Sequence, residues 1–326
     1  MAVHLLNRRQ QVAIETEATE GTAETLVAAD VHFRARSSTF TIEAQTTPQD
    51  LLQADLSELP DIMGQLPVTI TTETLLAGGS AVDTAAGWSE ALIPAGFLET
   101  VNSSTSCVYT PETPVTTNSC TVGVWVGPDS GTNGRLFIAK GCRVESVAFT
   151  FNAGEPAVMA VTWRGAYSSH ADAAVFSGAS YDATVPPASQ KLGLSLTLSG
   201  GAWTPFWSSL SLNINNTLAA VDDLNTTGET SGILAYRVTG RRIEGTIDPL
   251  EVRQADNDWM VQLQSGADGA MTWTLGTATG NKVQFTMPQV QILSHSPGEK
   301  EGMMNQSLSF KANRSSGNDE LTITTT

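Results

Sequence analysis

Four histidines, two acidic clusters, three cysteines and one glycine-rich acidic linker are the residues that could do chemistry in this 326-residue chain. His4, His32, His170 and His295 are scattered, with no HxH or HExxH spacing, so they outline no zinc site. Asp222-Asp223 and Asp256-Asn257-Asp258 are paired acids of the kind that can serve general acid–base catalysis. A solvated loop and a helix cap, with Asp256 or Asn257 capping, account for them more simply. Asp129-Ser130-Gly131-Thr132-Asn133-Gly134 opens like a calcium loop but lacks the later glutamate, and reads as a plain turn. Cys107, Cys120 and Cys142 are odd in number and match no zinc spacing. They read as free thiols in or near strands; a Cys107–Cys120 bridge would need an oxidising site. No GxSxG, phosphate-binding loop or dinucleotide fingerprint occurs. The expectation is a chain with no catalytic residues, no metal and no cofactor.

The elements that would position such residues are strands. Hydrophobic residues make up 40% of the chain and charged residues only 15%, with Thr, Ser, Ala and Gly abundant, a mix that suits sheets with small polar faces. The organising stretch is Gly141 to Tyr167. Val147, Phe149 and Phe151 alternate with Ser146, Ala148 and Thr150, and Met159, Val161 and Trp163 with Ala160, Thr162 and Arg164. Period two puts one row on a core and the other on a polar surface, and Asn152-Ala153-Gly154-Glu155-Pro156 turns the hairpin. No apolar run is long enough for a membrane span, and the N-terminus lacks the apolar region of a signal peptide, so no membrane is expected. Net charge is −16, and a chain this acidic is not expected to bind nucleic acid by neutralising phosphates.

In chain order, residues 1–30 read as an irregular arm and 33–43 as a strand. A long acidic loop follows over 44–66, with Asp50, Asp55, Glu58 and Asp61, and then a strand over 68–76. Asp83 to Ala91 reads as a short helix whose Trp88, Ala91 and Leu92 form one stripe. Residues 101–120 read as an exposed loop, and 121–126 and 136–139 as strands before the hairpin. The linker is 171–190, within a polar run that begins at 168. Strands follow at 192–198 and 206–214, then a second acidic loop over 216–231 with Asp222, Asp223 and Glu229. A strand over 234–247 leads to a helix near 256–264, then strands at 271–275, 283–286, 290–293 and 306–311. The ending ELTITTT reads as an edge strand.

The halves repeat one pattern. Phe33 matches Phe206 (206 − 33 = 173), and Val68 matches Ile243 (243 − 68 = 175), which pairs Glu73 with Asp248. Trp88 and Leu92 match Trp259 and Leu263, Trp125 matches Trp273 (273 − 125 = 148), and Val161, Trp163 and Arg164 match Leu308, Phe310 and Lys311 (308 − 161 = 147). Two unrelated β-domains are the alternative. The division is an arm at 1–30, a first domain at 31–170, the linker at 171–190 and a second domain at 191–326.

The opening Glu15 to Thr22, the stretch Gly87 to Phe97, Tyr109-Thr110-Pro111, the hairpin with its AGEP and WRGAY, and the ending FKANRSSGNDELTIT make the chain resemble the major tail tube proteins of long-tailed, non-contractile bacteriophages. The resemblance implies a mainly β fold: a duplicated tail-tube-like β-sandwich or barrel domain, each copy with one flanking short α-helix. It implies a non-enzymatic virion subunit, made in the host cytoplasm, that forms stacked rings through which DNA passes without specific binding. Two fused copies imply trimeric, pseudo-sixfold rings. The other partners implied are the tail terminator, distal tail and tape measure proteins. Glu73 and Asp248 are candidates to line the lumen, and Asp50, Asp55, Glu58, Asp222, Asp223 and Glu229 to touch the next ring. Two other readings stay open: a two-domain adhesin or carbohydrate-binding module using Trp203 or Trp207, and a glycoside hydrolase using Asp222 or Asp223.

Overall fold

The computed structural model describes residues 4–52, 55, 57–113, 119–128, 132–179, 181–198, 201–224, 232–256 and 258–326. The fold is mainly β, with 58% strand and 4% helix. The first half carries β1 (Leu5–Thr16), β2 (Ala35–Ile42), β3 (Thr46–Thr47), β4 (Ile62–Met63), β5 (Pro67–Leu75), β6 (Phe97–Asn102), β7 (Ser106–Pro111), β8 (Cys120–Pro128), β9 (Asn133–Asn152) and β10 (Val158–Ala174). The second carries β11 (Ser195–Leu198), β12 (Gly201–Trp203), β13 (Trp207–Asp222), β14 (Ile233–Pro249), α1 (Trp259–Ser265), β15 (Asp268–Leu275), β16 (Val283–Lys300), β17 (Met303–Asn313) and β18 (Thr322–Thr325).

Eight strands form one antiparallel layer in the order β2-β5-β10-β9-β13-β14-β17-β16. The expected hairpin is its centre: Val158 faces Thr150, and Val161 faces Val147. The order is one four-strand unit written twice, since β2-β5-β10-β9 is followed by β13-β14-β17-β16. Bulges fix the correspondence. Between Thr162 and Trp163 the partner on β9 jumps from Ser146 to Val144, and between Ser309 and Phe310 the partner on β16 jumps from Ser294 to Ile292. A second bulge recurs where Cys120–Cys142 gives way to Val122–Ala139, and where Gly269–Val290 gives way to Met271–Met287. Past these bulges β9 and β16 leave the eight-stranded layer. The N-terminal part of β9 pairs with β8, which pairs with β1, while that of β16 lies between β15 and β18.

The apolar rows of this layer, with the second layer, enclose one core drawn from both halves. Phe149 and Phe285 meet edge to face at 5.2 Å, and Trp273 stacks on Phe285 at 5.0 Å. The layers form no closed barrel within the chain.

Several expectations change. The arm is not irregular throughout, because β1 buries Val12 and Ala13 against β8. The helix over 83–91 shrinks to a 3-10 turn at Ser89–Ala91, although Trp88, Ala91 and Leu92 are buried as the stripe required. Among the described residues only the second half carries an α-helix, so the expectation of one per copy is not met there. That helix is capped by Asp258, which accepts from Met260 and Val261 N–H, and it closes at Gly266 in the left-handed region. Asp256 instead pairs with Arg253, and Asn257 lies outside the described residues. The loop expected at 101–120 is half strand: β7 buries Cys107 and Tyr109 and pairs with β18, so the ending is no edge strand. The second acidic loop starts later, since β13 runs to Asp222. Residues 129–131, the first part of the calcium-like linker, lie outside the described residues.

Two matches of the repeat slip by one. With Ile70 on Phe40 and Gly245 on Leu212, β13 follows β2 at 212 − 40 = 172, so Phe33 is not the counterpart of Phe206. Phe33 is fully buried and Phe206 is 80% exposed. Likewise 271 − 122 = 149 makes Val124 the counterpart of Trp273. Trp125 sits in a separate cluster with Leu26 and Leu136. A one-residue slip turns a side chain to the other face.

Candidate assembly and channel surface

The second row of each strand in the eight-stranded layer is polar. Two rows of hydroxyls run across it in register from strand to strand, Thr39, Thr71, Thr162 and Ser146 in the first half and Thr150, Ser211, Thr246, Ser309 and Ser294 from β9 through the second. Hydroxyls opposite one another hydrogen-bond: Thr39 with Thr71, and Ser211 with Thr246 at 2.8 Å. These two pairs are related by the repeat, as 39 + 172 = 211 and 71 + 175 = 246. The cations that share this face, such as Arg164 and Arg242, are paired with carboxylates, which leaves them less free to neutralise a polyanion's phosphates.

Glu73 and Asp248 both lie on this face, at equivalent positions of β5 and β14. Four strand spacings separate β5 from β14, about 19 Å along the layer, so they form no pair. Each has its own partners. Glu73 accepts from Arg36 at 3.2 Å and from Ser37 Oγ at 3.3 Å. Asp248 accepts from Ser208 N–H at 2.9 Å, from Ser209 N–H and from Ser208 Oγ, with Lys300 Nζ at 3.6 Å. Burial pushes the Asp248 carboxyl up, but the hydrogen bonds from Ser208 and Ser209 prevail and hold it below the ordinary aspartate range.

Further charges share the face: Arg164, which the alternation of the hairpin had placed in its polar row, Lys311 opposite Glu244, and Glu43, Glu145, Arg242 and Glu244, which the sequence reading did not single out. Arg164 bridges Glu145 at 2.9 Å and Glu43 at 3.2 Å, and Arg242 pairs with Glu244 at 2.7 Å. These carboxylates therefore stand beside bases rather than as a bare ring. Strict alternation would have placed Glu43, Arg164, Arg242 and Glu244 here. Glu145 is the extra residue of a bulge, which alternation does not find.

The acidic loops leave the layer at one end. Gln65 Nε2 donates to Asp222 Oδ1 at 2.8 Å, which ties the two loops together. Asp50, Asp55 and Glu58 are exposed, Asp55 accepts from Ser57 N–H at 3.0 Å, and Asp223 is half-buried. Glu229 lies outside the described residues. Trp203 packs edge to face on Trp259 at 4.4 Å, and Trp207 packs on the core, so neither is an open aromatic platform for a sugar ring. The described residues hold no group of three or more metal-ligating side chains. No helix among them is long and apolar enough to cross a membrane.

Both outer edges of the eight-stranded layer are open along this face. Among the described residues β2 pairs with β5 alone, and beyond Ile292 β16 pairs only with β17. A layer with one polar face, one buried face and two open edges defines a β-structural protein whose edge strands keep backbone groups available for pairing. The family model described as phage tail tube protein matches residues 7–312, and the chain belongs to that family. No curated protein matches the sequence. The family makes the chain a structural component of the virion tail.

Proposed function

We propose that this protein is the ring-forming subunit of a tail tube, with duplicated tube domains at 31–170 and 191–326, and that its polar face lines the passage for phage DNA. One observation carries this reading: the junction that a ring needs already exists once inside the chain. β13 pairs with β9 from Ser209–Asn152 to Asn215–Ser146. Shifting β13 by 172 and β9 by 148 gives the open edges, with Ser37 opposite Lys300, Phe40 opposite Pro297 and Glu43 opposite Ser294 of the next chain. Pro297 removes one donor from that edge, which discourages pairing with a wrong strand.

The strand count supports a small ring. Three chains of eight strands give 3 × 8 = 24. At a spacing of about 4.8 Å and a tilt of about 40°, such a barrel is about 50 Å across, wide enough for a duplex. Six chains would make it about 100 Å, far wider than a duplex needs. A trimeric ring with pseudo-sixfold symmetry follows, with a mass of 3 × 34.4 = 103.2 kDa. Its stacked rings meet the tail terminator and distal tail proteins at the ends and hold the tape measure protein before DNA passes. Averaged end-on electron micrographs with mass-per-ring measurement test the reading. Rings of six chains, or rings in which β2 does not meet β16, refute it.

A further inference from the structure

One end of the eight-stranded layer carries a stalk. Thr46 and Thr47 pair with Met63 and Ile62, Gln45 N–H donates to Gln65 O at 2.9 Å, and Gln49 Nε2 closes onto Pro60 O at 2.7 Å. The stalk holds Asp50, Leu51 and Leu52 away from the body. Leu51 is 63% exposed and Leu52 fully so, an apolar pair that no described residue of its own chain buries. Two neighbouring leucines held in water on a braced stalk are a preorganised docking tip.

The opposite end carries a groove of about 860 Å³. Its walls include Lys191, Leu192, Leu194, Pro205 and Phe206. Phe206 is 80% exposed, Leu192 and Leu194 form the buried floor, and Lys191 is exposed at the rim with φ +56°. The groove lies beside the hairpin turn, where Ala153 N–H donates to Ser208 O and Leu76 N–H to Ala157 O. The stalk leaves at Pro67, nine residues along β5 from Leu76 and so about 30 Å away. Only a second copy, stacked head to tail, brings a tip to a groove.

We propose that the Asp50–Leu52 tip of one chain docks into the groove beside Phe206 of a chain in the next ring. Leu51 and Leu52 cover Phe206, Pro205 and the Leu192–Leu194 floor, and Asp50 meets Lys191 at the rim. Opposite charge at the rim sets register more than affinity. The inference rests on the stacked-ring reading and names the surface that joins the rings.

Paired cysteines test it directly, because Cys107, Cys120 and Cys142 are all buried and free. A chain carrying Leu52→Cys and Phe206→Cys is expected to give a ladder of bridged multimers on mild oxidation of tubes, while either substitution alone does not. Leu52→Ser, at a fully exposed position that folding does not use, should leave rings intact. It should raise the protein concentration needed for tube growth by at least about tenfold. Asp50→Lys should weaken stacking, and Lys191→Glu added to it should restore stacking. Tubes from the doubly cysteine-substituted chain with no bridging, or unchanged tube growth by Leu52→Ser, overturn the docking site and leave the tube reading standing. Absence of tubes from the unsubstituted chain overturns the tube reading itself.

Discussion

Glu17 offers the sharpest perturbation, because a fully buried carboxylate there pins the corner where β9 leaves the eight-stranded layer. Its oxygens accept from Gly21 N–H at 2.7 Å, Gly141 N–H at 2.7 Å, Thr121 Oγ1 at 3.1 Å and Ser119 Oγ. The residue thus joins the segment after β1 to β8 and to the bulge of β9. Each hydrogen bond to a charged acceptor is worth about 1.5–3 kcal/mol, and four sharing one group do not add fully. Replacing Glu17 by Ala strands four buried donors and should cost about 4–5 kcal/mol. Glu17→Gln keeps the shape, but its amide oxygen serves only two donors and its NH₂ confronts the others, for about 3 kcal/mol. Urea unfolding of the subunit measures the loss. Thiol labelling locates it, since burial first, and the charge of Glu17 second, push the Cys120 thiol well above its usual range and leave it inert in the closed fold. Faster labelling of Cys120 and Cys142 should accompany the lost stability. A Glu17→Ala loss below about 1 kcal/mol would refute the reasoning.

Three other outcomes are expected. Deleting residues 46–58 should leave folded rings that no longer form tubes, read by electron microscopy; normal tubes would dismiss the stalk as a stacking element. Replacing Glu73 and Asp248 by Lys sets new cations beside Arg36 and Lys300. Tubes should assemble, but genome ejection should slow and recover with added salt, because phosphate contacts release counterions; salt-independent ejection at the normal rate would move this face out of the channel. Glu90 is raised to about 8 by burial first, then by Asp30, Glu15 and Glu99, with His32 facing it at 3.9 Å. A carboxyl raised on folding favours the fold fully below its unfolded value near 4.5, and that stability falls as pH climbs to about 8. Glu90→Gln should therefore raise the melting temperature at pH 8 and leave it nearly unchanged at pH 4; an equal effect at both would discard the assignment.

Much of this molecule is written in local pattern. The alternation of Val147, Phe149 and Phe151 with Ser146, Ala148 and Thr150 both predicts the hairpin and sorts its two faces, because strand side chains point to opposite sides with period two. The same rule places Glu73 and Asp248 on the polar face before any partner is known. The helix at Trp259–Ser265 follows from a nearby cap and an apolar stripe, though its capping residue is Asp258, one or two positions later than expected. In each of these cases the determining residues lie within one or two turns or one hairpin of each other.

What the sequence could not determine is pairing between distant segments and register across them. Leu5–Thr16 reads as an irregular arm until β8, more than a hundred residues away, takes it as a strand. Ser106–Pro111 reads as a loop until β18 arrives from the other end of the chain. Backbone hydrogen bonds are nearly blind to sequence, so a polar segment becomes a strand when an open edge is offered to it. Bulges then add single residues that shift the repeat from 173 to 172 and send Trp125 and Trp273 to different clusters. The sequence by itself determined which residues alternate, which face is polar and that the pattern occurs twice. Only the tertiary structure decided which edges stay open and which charges are paired, because both depend on neighbours that the chain brings together from afar.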